Sequence, residues 1–417
     1  MNQPFNSSEK LENNKNESNK AWFFFTVLFL IIDYGRPHDT IKFIGSLRPA
    51  FFLTLILTFY VVKNKHRFTQ YKLPQINLIW WFIAVLVILI PFAFNKRIAF
   101  STAQAILLYM PFVLSCIGCI DTIERLKKFL LFAVYCMAFQ ALHGVSHGGV
   151  GTGNLFMDEN DFSLYMNTWL PFSFALFLSC KKMLHKVFLC ATTLLALGSN
   201  VIGFSRGGFL GMIAMFLVFW LYKKNKIVTI LVIAILGVGV VLFGGDKYTK
   251  EMSTSTNAQD NTGKERIESW KSGWKMFQHY PLGVGGNNFA IRFPEFQTPY
   301  FSRNMWGRQA HSLWFTLIPE TGIGGILIYL LLILSNINVT FGLKTLSKQL
   351  DKDDEIFIKN LSVAFLASFA GFFISSSFIS CLYYAHFWYL TGILVTANSL
   401  VERQIYTKPK NEVLLVA

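Results

Sequence analysis

The sequence predicts an all-α integral membrane protein, a bundle of about 12 transmembrane helices, and three observations carry that reading. Of the 417 residues, 53% are hydrophobic and 16% aromatic, with 43 Phe among them. Apolar runs long enough to cross ~30 Å of hydrocarbon recur along the chain, whereas the alternating strands of about ten residues that a barrel needs do not. Lysine and arginine concentrate in alternate connections, as topology demands of a multi-pass protein.

Residues 1–20, rich in Asn, Ser, Lys and Glu, read as a disordered cytoplasmic tail. Apolar segments at 21–33, 48–62, 76–94, 99–120, 127–144, 160–180, 186–204, 207–222 and 226–243 give transmembrane helices 1–9 over 21–243. The first two are short for full spans, and the first doubles as an uncleaved anchor, because no cleavage pattern follows it. A polar insertion occupies 244–310. Segments 311–336, 358–377 and 379–399 then give helices 10–12 over 311–400, ahead of a second cytoplasmic tail at 401–417.

The charges assign the two faces. With the N-terminus inside, Lys63, Lys65, Arg67 and Lys72, then Arg125, Lys127 and Lys128, then Lys181, Lys182 and Lys186 all fall in inner turns. Lys223, Lys224, Lys226, Lys344, Lys348, Lys352, Lys359, Arg403, Lys408 and Lys410 continue the series. The outward loops at 145–158 and 376–380 carry neither Lys nor Arg. Both termini are therefore expected in the cytoplasm. The net charge of +15 is mostly this topology signal, and its scatter over turns argues against nucleic-acid binding. Arg36, Lys42 and Arg48, with nine more basic residues between Gly244 and Ala310, are not required by topology and suggest an anionic partner on the outer face. All six cysteines lie in spans or at their ends, and Cys116-x-x-Cys119 has no second pair, so the packing reading outweighs a metal or redox one.

The insertion opens with the polar stretch GGDKYTKEMSTSTNAQDNTG. From Glu265, Ile267, Trp270, Trp274 and Phe277 recur at helical spacing with Lys271 and Lys275 off the stripe, predicting a helix that lies at the membrane interface. Pro281 and the run Gly283-Val284-Gly285-Gly286 turn the chain, and an extended aromatic piece from Phe289 to Trp306 leads to a span at His311. The glycine run follows no strand and lacks Gly-Lys-Ser/Thr, so it is not a nucleotide loop.

Three basic residues stand at the outer boundary. Arg206 sits in the Ser205-Arg206-Gly207-Gly208 hairpin, where glycines let the backbone approach a ligand. Arg266 begins the interfacial helix and His311 heads a span. Arginine's fork suits phosphate oxygens, and helix N-termini add partial positive charge. The competing reading of each is snorkelling to lipid headgroups. A neutral His311 can act as a base. Glu320, nine residues on, points from the opposite helix face and reads as a structural partner next to the kink at Pro319. Asp158, Glu159, Asn160 and Asp161 open a span at the same boundary; caps explain them, and no further ligands stand at a spacing that would hold a metal.

Arg206 in its turn, then R…W…W…F…HPLGVGGNNF-like spacing through Phe289, then His311-Ser312-Leu313-Trp314…Glu320-Thr321-Gly322, resembles the O-antigen ligase family of bacterial envelope proteins. That family also holds O-antigen polymerases and oligosaccharyltransferases that glycosylate proteins. Gly153–Phe162 looks like its span-opening Asn-Asp pattern, and Asp33–His38 is weakly similar to members found alongside exosortase systems. Ser312 stands where many members have Asn, which puts the role of that position in doubt. The resemblance implies a periplasmic loop over 244–310 on an inner-membrane protein. It implies transfer of a glycan from an undecaprenyl-pyrophosphate-linked donor, without metal or other cofactor and with inversion. Arg206, Arg266 and His311 would be catalytic. Substrate would meet Arg206, Arg266, Trp270, Gly285, Asn287 and Arg308, while Glu320 and Asp161 would be structural. Lipid A–core is the first choice of acceptor, with a growing glycan or a protein as alternatives. A transporter would need ionisable residues near mid-span and matching broken helices, whereas Arg206, His311 and Asp158 to Asp161 cluster at one boundary, Glu320 is the main exception, and no two-fold repeat is seen.

Overall fold

The computed structural model describes residues 7–70, 74–222 and 261–406. Among these the secondary structure is helical, with no strand. The long helices are α1 (Ser7–Gly35), α2 (Pro49–Lys63), α3 (Pro74–Leu89), α4 (Lys96–Cys119) and α5 (Ile123–Ser146). They continue with α6 (Glu159–Ser179), α7 (Met183–Ile202), α8 (Arg206–Tyr222), α9 (Asn261–His279), the short α10 (Phe289–Phe296), α11 (Leu313–Leu346), α12 (Lys352–Ser376) and α13 (Ala385–Tyr406). Eleven of the apolar segments coincide with helices; the twelfth, 226–243, lies outside the described residues, as do 244–260 and the tail beyond Tyr406.

Among the described residues, six helices are long and apolar enough to cross a membrane: α3 extended to Phe92, α4, α5, α7, α11 and α12. α2 and α8 are apolar but shorter. α6 and α13 carry more polar side chains, and they are the interior helices, buried over almost their whole length. Their Asn, Ser and Thr side chains therefore face protein.

Two expectations change. The chain is helical from Ser7, so the segment read as a disordered tail joins α1, and Asn19 hydrogen-bonds Asp121. The piece from Phe289, read as extended, begins with the helix α10 despite Pro294. Its first N–H is taken by the Glu320 carboxylate at 3.0 Å, a long-range contact that local pattern cannot reveal.

Side chains set how closely helices approach. α12 packs most extensively against α6 and α8, while α11 packs on α3 and α13 on α4. Small residues let α8 approach both α6 and α12: a Cβ on Gly208 would stand 2.3 Å from the Cβ of Ser163 on α6, and one on Gly211 2.0 Å from the Ser375 hydroxyl on α12. Behind them Asn167 donates to the Gly208 carbonyl (2.7 Å) and Ser375 Oγ (2.9 Å) and accepts from Asn200 (2.8 Å). This buried amide joins α6, α7, α8 and α12 beneath the Arg206 turn.

The helix ends sort into two groups. At one end Arg125 pairs with Asp121 (2.8 Å), Lys127 with Asp354 (2.9 Å) and Lys181 with Asp353 (2.6 Å), and Arg67 donates to the Gly118 carbonyl (2.7 Å). At the other, Asn154 N–H meets Asp39 (3.0 Å), Asn95 N–H meets Asn288 (2.7 Å), Ser205 donates to Asn160 (2.9 Å) and Trp314 donates to Ser377 (2.9 Å). The segment 261–311 belongs to this second, loop-bearing end. Among the described residues, the connections from α1 to α8 alternate between the two ends in chain order, as do those from α11 to α13.

Candidate active site

Three helix beginnings lie at the loop-bearing end. Asp158 caps α6, its Oδ1 accepting from the N–H of Asn160 (2.8 Å) and Asp161 (3.3 Å). Ser205 caps α8 by accepting from Gly208 N–H (2.9 Å) while its hydroxyl donates to Asn160. Arg206 is the first residue of α8. Ser312 caps α11, and His311 precedes it.

His311 is exposed and held at φ 47, in the left-handed region that a residue with a Cβ rarely occupies. Its imidazole pKa is lowered, first by loss of hydration and then by the positive charges of Arg266 and Arg308; Asp158 opposes them. Arg266, Arg308 and Asp158 are thus all within electrostatic reach of His311. Five non-glycine residues have positive φ among the described residues: Arg36, Arg48, Phe204, Asn287 and His311. Phe204, at φ 52, immediately precedes Ser205 and Arg206. Strain of this kind collects where the surroundings fix a functional geometry.

Trp270 and Arg308, grouped by sequence with the substrate-binding residues, have protein partners. The Trp270 indole donates to the Ala310 carbonyl (2.9 Å) and its ring stacks on Phe315, with centroids 5.2 Å apart. Arg308 pairs with Glu265 (2.8 Å), donates to Ser269 (2.8 Å) and lies over the Phe301 ring. Together they pin residues 308–310, next to His311, to α9, the helix that carries Arg266. α9 starts at Asn261, so Arg266 lies in its second turn rather than at its start. Its packed face is small (Ser269, Ser272, Gly273 and Met276 are buried), whereas Ile267 and Trp274 are about half exposed. With Trp270, Lys271, Lys275, Gln278 and Phe315 they line an open groove of about 520 Å3.

Gly285 and Asn287 are likewise turned inward. Gly285, at φ 91, gives its N–H to the Glu320 carbonyl (2.9 Å), and a Cβ there would stand 2.7 Å from Ala93. Asn287 donates its side chain to Thr102 (2.9 Å) and its N–H to Glu320 Oε2 (2.7 Å). Glu320 is buried, and its carboxylate also accepts from Phe289 N–H (3.0 Å) and the Tyr383 hydroxyl (2.6 Å). α11 breaks here: Pro319 sits one residue before Glu320, and Gly322 has φ 60 and ψ −163. The carbonyls this frees are taken by the glycine turn, Val284 N–H to Pro319 O and Gly285 N–H to Glu320 O, both at 2.9 Å. Asp161 accepts from Tyr384 (3.4 Å) through one oxygen; the other is buried without a partner among the described residues.

The Arg206 turn joins His311 through shared neighbours. Asn160, which Ser205 contacts, lies in the turn that Asp158 caps, and Asp158 is within electrostatic reach of His311. A Cβ on Gly207 would meet the Phe378 side chain at 3.1 Å, and Ser377 bonds Trp314, three residues after His311. Sequence reasoning missed Asn167, Phe204, Ser377 and Tyr383. Only a polar residue inside an apolar span, as at Asn167, offered a signal.

Residues 191–330, about a third of the chain, match the family model described as O-antigen ligase. Over that segment, which contains Arg206, Arg266 and His311, the chain is similar to that superfamily. No curated protein matches the chain.

Proposed function

We propose, from the O-antigen ligase match, that this protein is a glycosyltransferase of the outer face of a bacterial inner membrane. In this reading it moves a glycan from undecaprenyl pyrophosphate to an acceptor hydroxyl, with lipid A–core as the acceptor. The observation that carries the reading is the electrostatic grouping of His311 with Arg266, Arg308 and Asp158 at the end that also holds Arg206.

The chemistry follows from those groups. The acceptor oxygen attacks the anomeric carbon, the bond from that carbon to the pyrophosphate oxygen breaks, and the configuration inverts. His311 takes the hydroxyl proton; its lowered pKa keeps the ring neutral and able to do so. Arg206 and Arg266 receive the negative charge that accumulates on the departing pyrophosphate. Arginine charge also weakens His311 as a base, and bound pyrophosphate offsets that charge. Donor binding therefore raises the basicity of His311 at the moment it is needed. The open groove of α9, apolar with two lysines, suits the interface where a lipid carrier presents its headgroup.

The test replaces Arg266 and His311 singly by Ala. Transfer should be abolished at unchanged membrane abundance, and normal product with either variant overturns the assignment. A lipopolysaccharide gel of a strain lacking the gene identifies the acceptor. Loss of the long ladder while polymer accumulates on the carrier supports ligation. Collapse to core bearing one repeat reassigns the protein as a polymerase, and an unchanged ladder points to protein glycosylation or another polysaccharide.

A further inference from the structure

His143 and His147 stand outside the site above, at the end of α5, in the sequence His-Gly-Val-Ser-His. Residues four apart share one helix face. Here the two rings lie face to face, centroids 3.7 Å apart and 5° from parallel. His143 Nδ1 is 3.1 Å from the Val150 carbonyl, and His147 Nδ1 is 3.0 Å from the His143 carbonyl and 2.9 Å from Ser146 Oγ. A carbonyl oxygen only accepts, so each Nδ1 carries the proton and each Nε2 presents a lone pair. Neither Nε2 has a hydrogen-bond partner among the described residues, and His147 is exposed. A ring N–H given to a backbone carbonyl is the arrangement that orients metal-bound histidines.

Two features of the surroundings favour a cation. The rings sit at a helix C-terminus, where the backbone dipole is negative. The loop from 145 to 158 carries no Lys or Arg and ends at Asp158. In the parallel stack the two Nε2 lone pairs lie in separate planes, so binding requires the rings to turn out of the stack until both planes meet at the ion, where two nitrogens at ~2.0–2.1 Å stand about 3.3 Å apart.

We infer that His143 and His147 form a surface site for one divalent transition metal of the Zn2+, Cu2+ or Ni2+ class, bound through both Nε2 atoms with water completing the shell. Imidazole ligands select this class over Mg2+ and Ca2+. The ion staples the last turn of α5 to the loop that follows. That loop reaches the Arg206 hairpin, since a Cβ on Gly149 would stand 2.1 Å from the Gly203 Cα.

The test uses the full-length, tag-free protein in nanodiscs, titrated with Co2+ as a spectroscopic probe and then competed with Zn2+. The wild type should bind about one equivalent, with visible absorption that Zn2+ abolishes. His143→Ala and His147→Ala should each weaken binding by at least the ~10–100-fold that follows loss of a metal's outer partners. His147→Phe keeps a ring on His143 but removes the nitrogen, so it should lose the metal while keeping the wild-type melting temperature. His185→Ala, at the far end of the bundle, should bind as the wild type does. No binding by the wild type, or undiminished binding by His147→Phe, overturns the inference.

Discussion

The Pro281–Asn288 turn and the Phe204–Gly208 turn are both rich in glycine, lie at the same end of the bundle, and each carry a non-glycine residue at φ 52, Asn287 and Phe204. Their bonding partners differ. The first directs its N–H groups into the break of α11, meeting Pro319 O, Glu320 O and the Glu320 carboxylate. The second opens a helix whose first residue is Arg206, and its Gly208 N–H is taken by the Ser205 cap. The glycine run that most resembles a ligand cradle in sequence is thus occupied by the protein itself. Close backbone approach needs glycine whether the approaching group is a substrate or a neighbouring carbonyl.

Gly322→Ala should break the inward turn most severely. A Cβ there would stand 2.2 Å from the Leu282 carbonyl carbon, on a backbone conformation reserved for glycine, so little folded protein should be recovered by size-exclusion chromatography. Glu320→Ala leaves two N–H groups and the Tyr383 hydroxyl without their acceptor and should cost roughly 3–5 kcal/mol in thermal unfolding. Glu320→Gln keeps one acceptor oxygen and should lose about half as much. On the open side, Arg266→Ala removes a positive charge that lowers the His311 pKa, so the imidazole should titrate at higher pH in an NMR titration; an unchanged or lower value would separate the two residues. Gly198 belongs to neither turn, with nothing within 4 Å of an added Cβ, and Gly198→Ala should stabilise α7 by ~0.5–1 kcal/mol on thermal melting.

Hydropathy exposed the helices, because crossing lipid constrains every residue of a span, and the cap at Asp158 was visible as local chemistry. Arg206, Arg266 and His311 stood out as basic residues that topology does not require. Direction was not visible. Nothing local states that Trp270 and Arg308 reach Ala310 and Glu265, or that Glu320 meets Tyr383, because those partners lie 40 to 63 residues away. Pro319 announced a kink, but only the tertiary structure shows what fills it.

The break at Gly322 also decides how this protein can be recombined. The stub of α11 from Leu313 to Thr321 is bonded to the Pro281–Phe289 turn, and the Trp270 ring stacks on Phe315 within it. The rest of the helix packs on α3 and α13. The natural exchangeable module therefore ends inside a helix and not at the edge of a loop. A chimera cut after Ala310 would carry the turn away from the carboxylate that holds it, whereas a cut at Gly322 moves the whole assembly together.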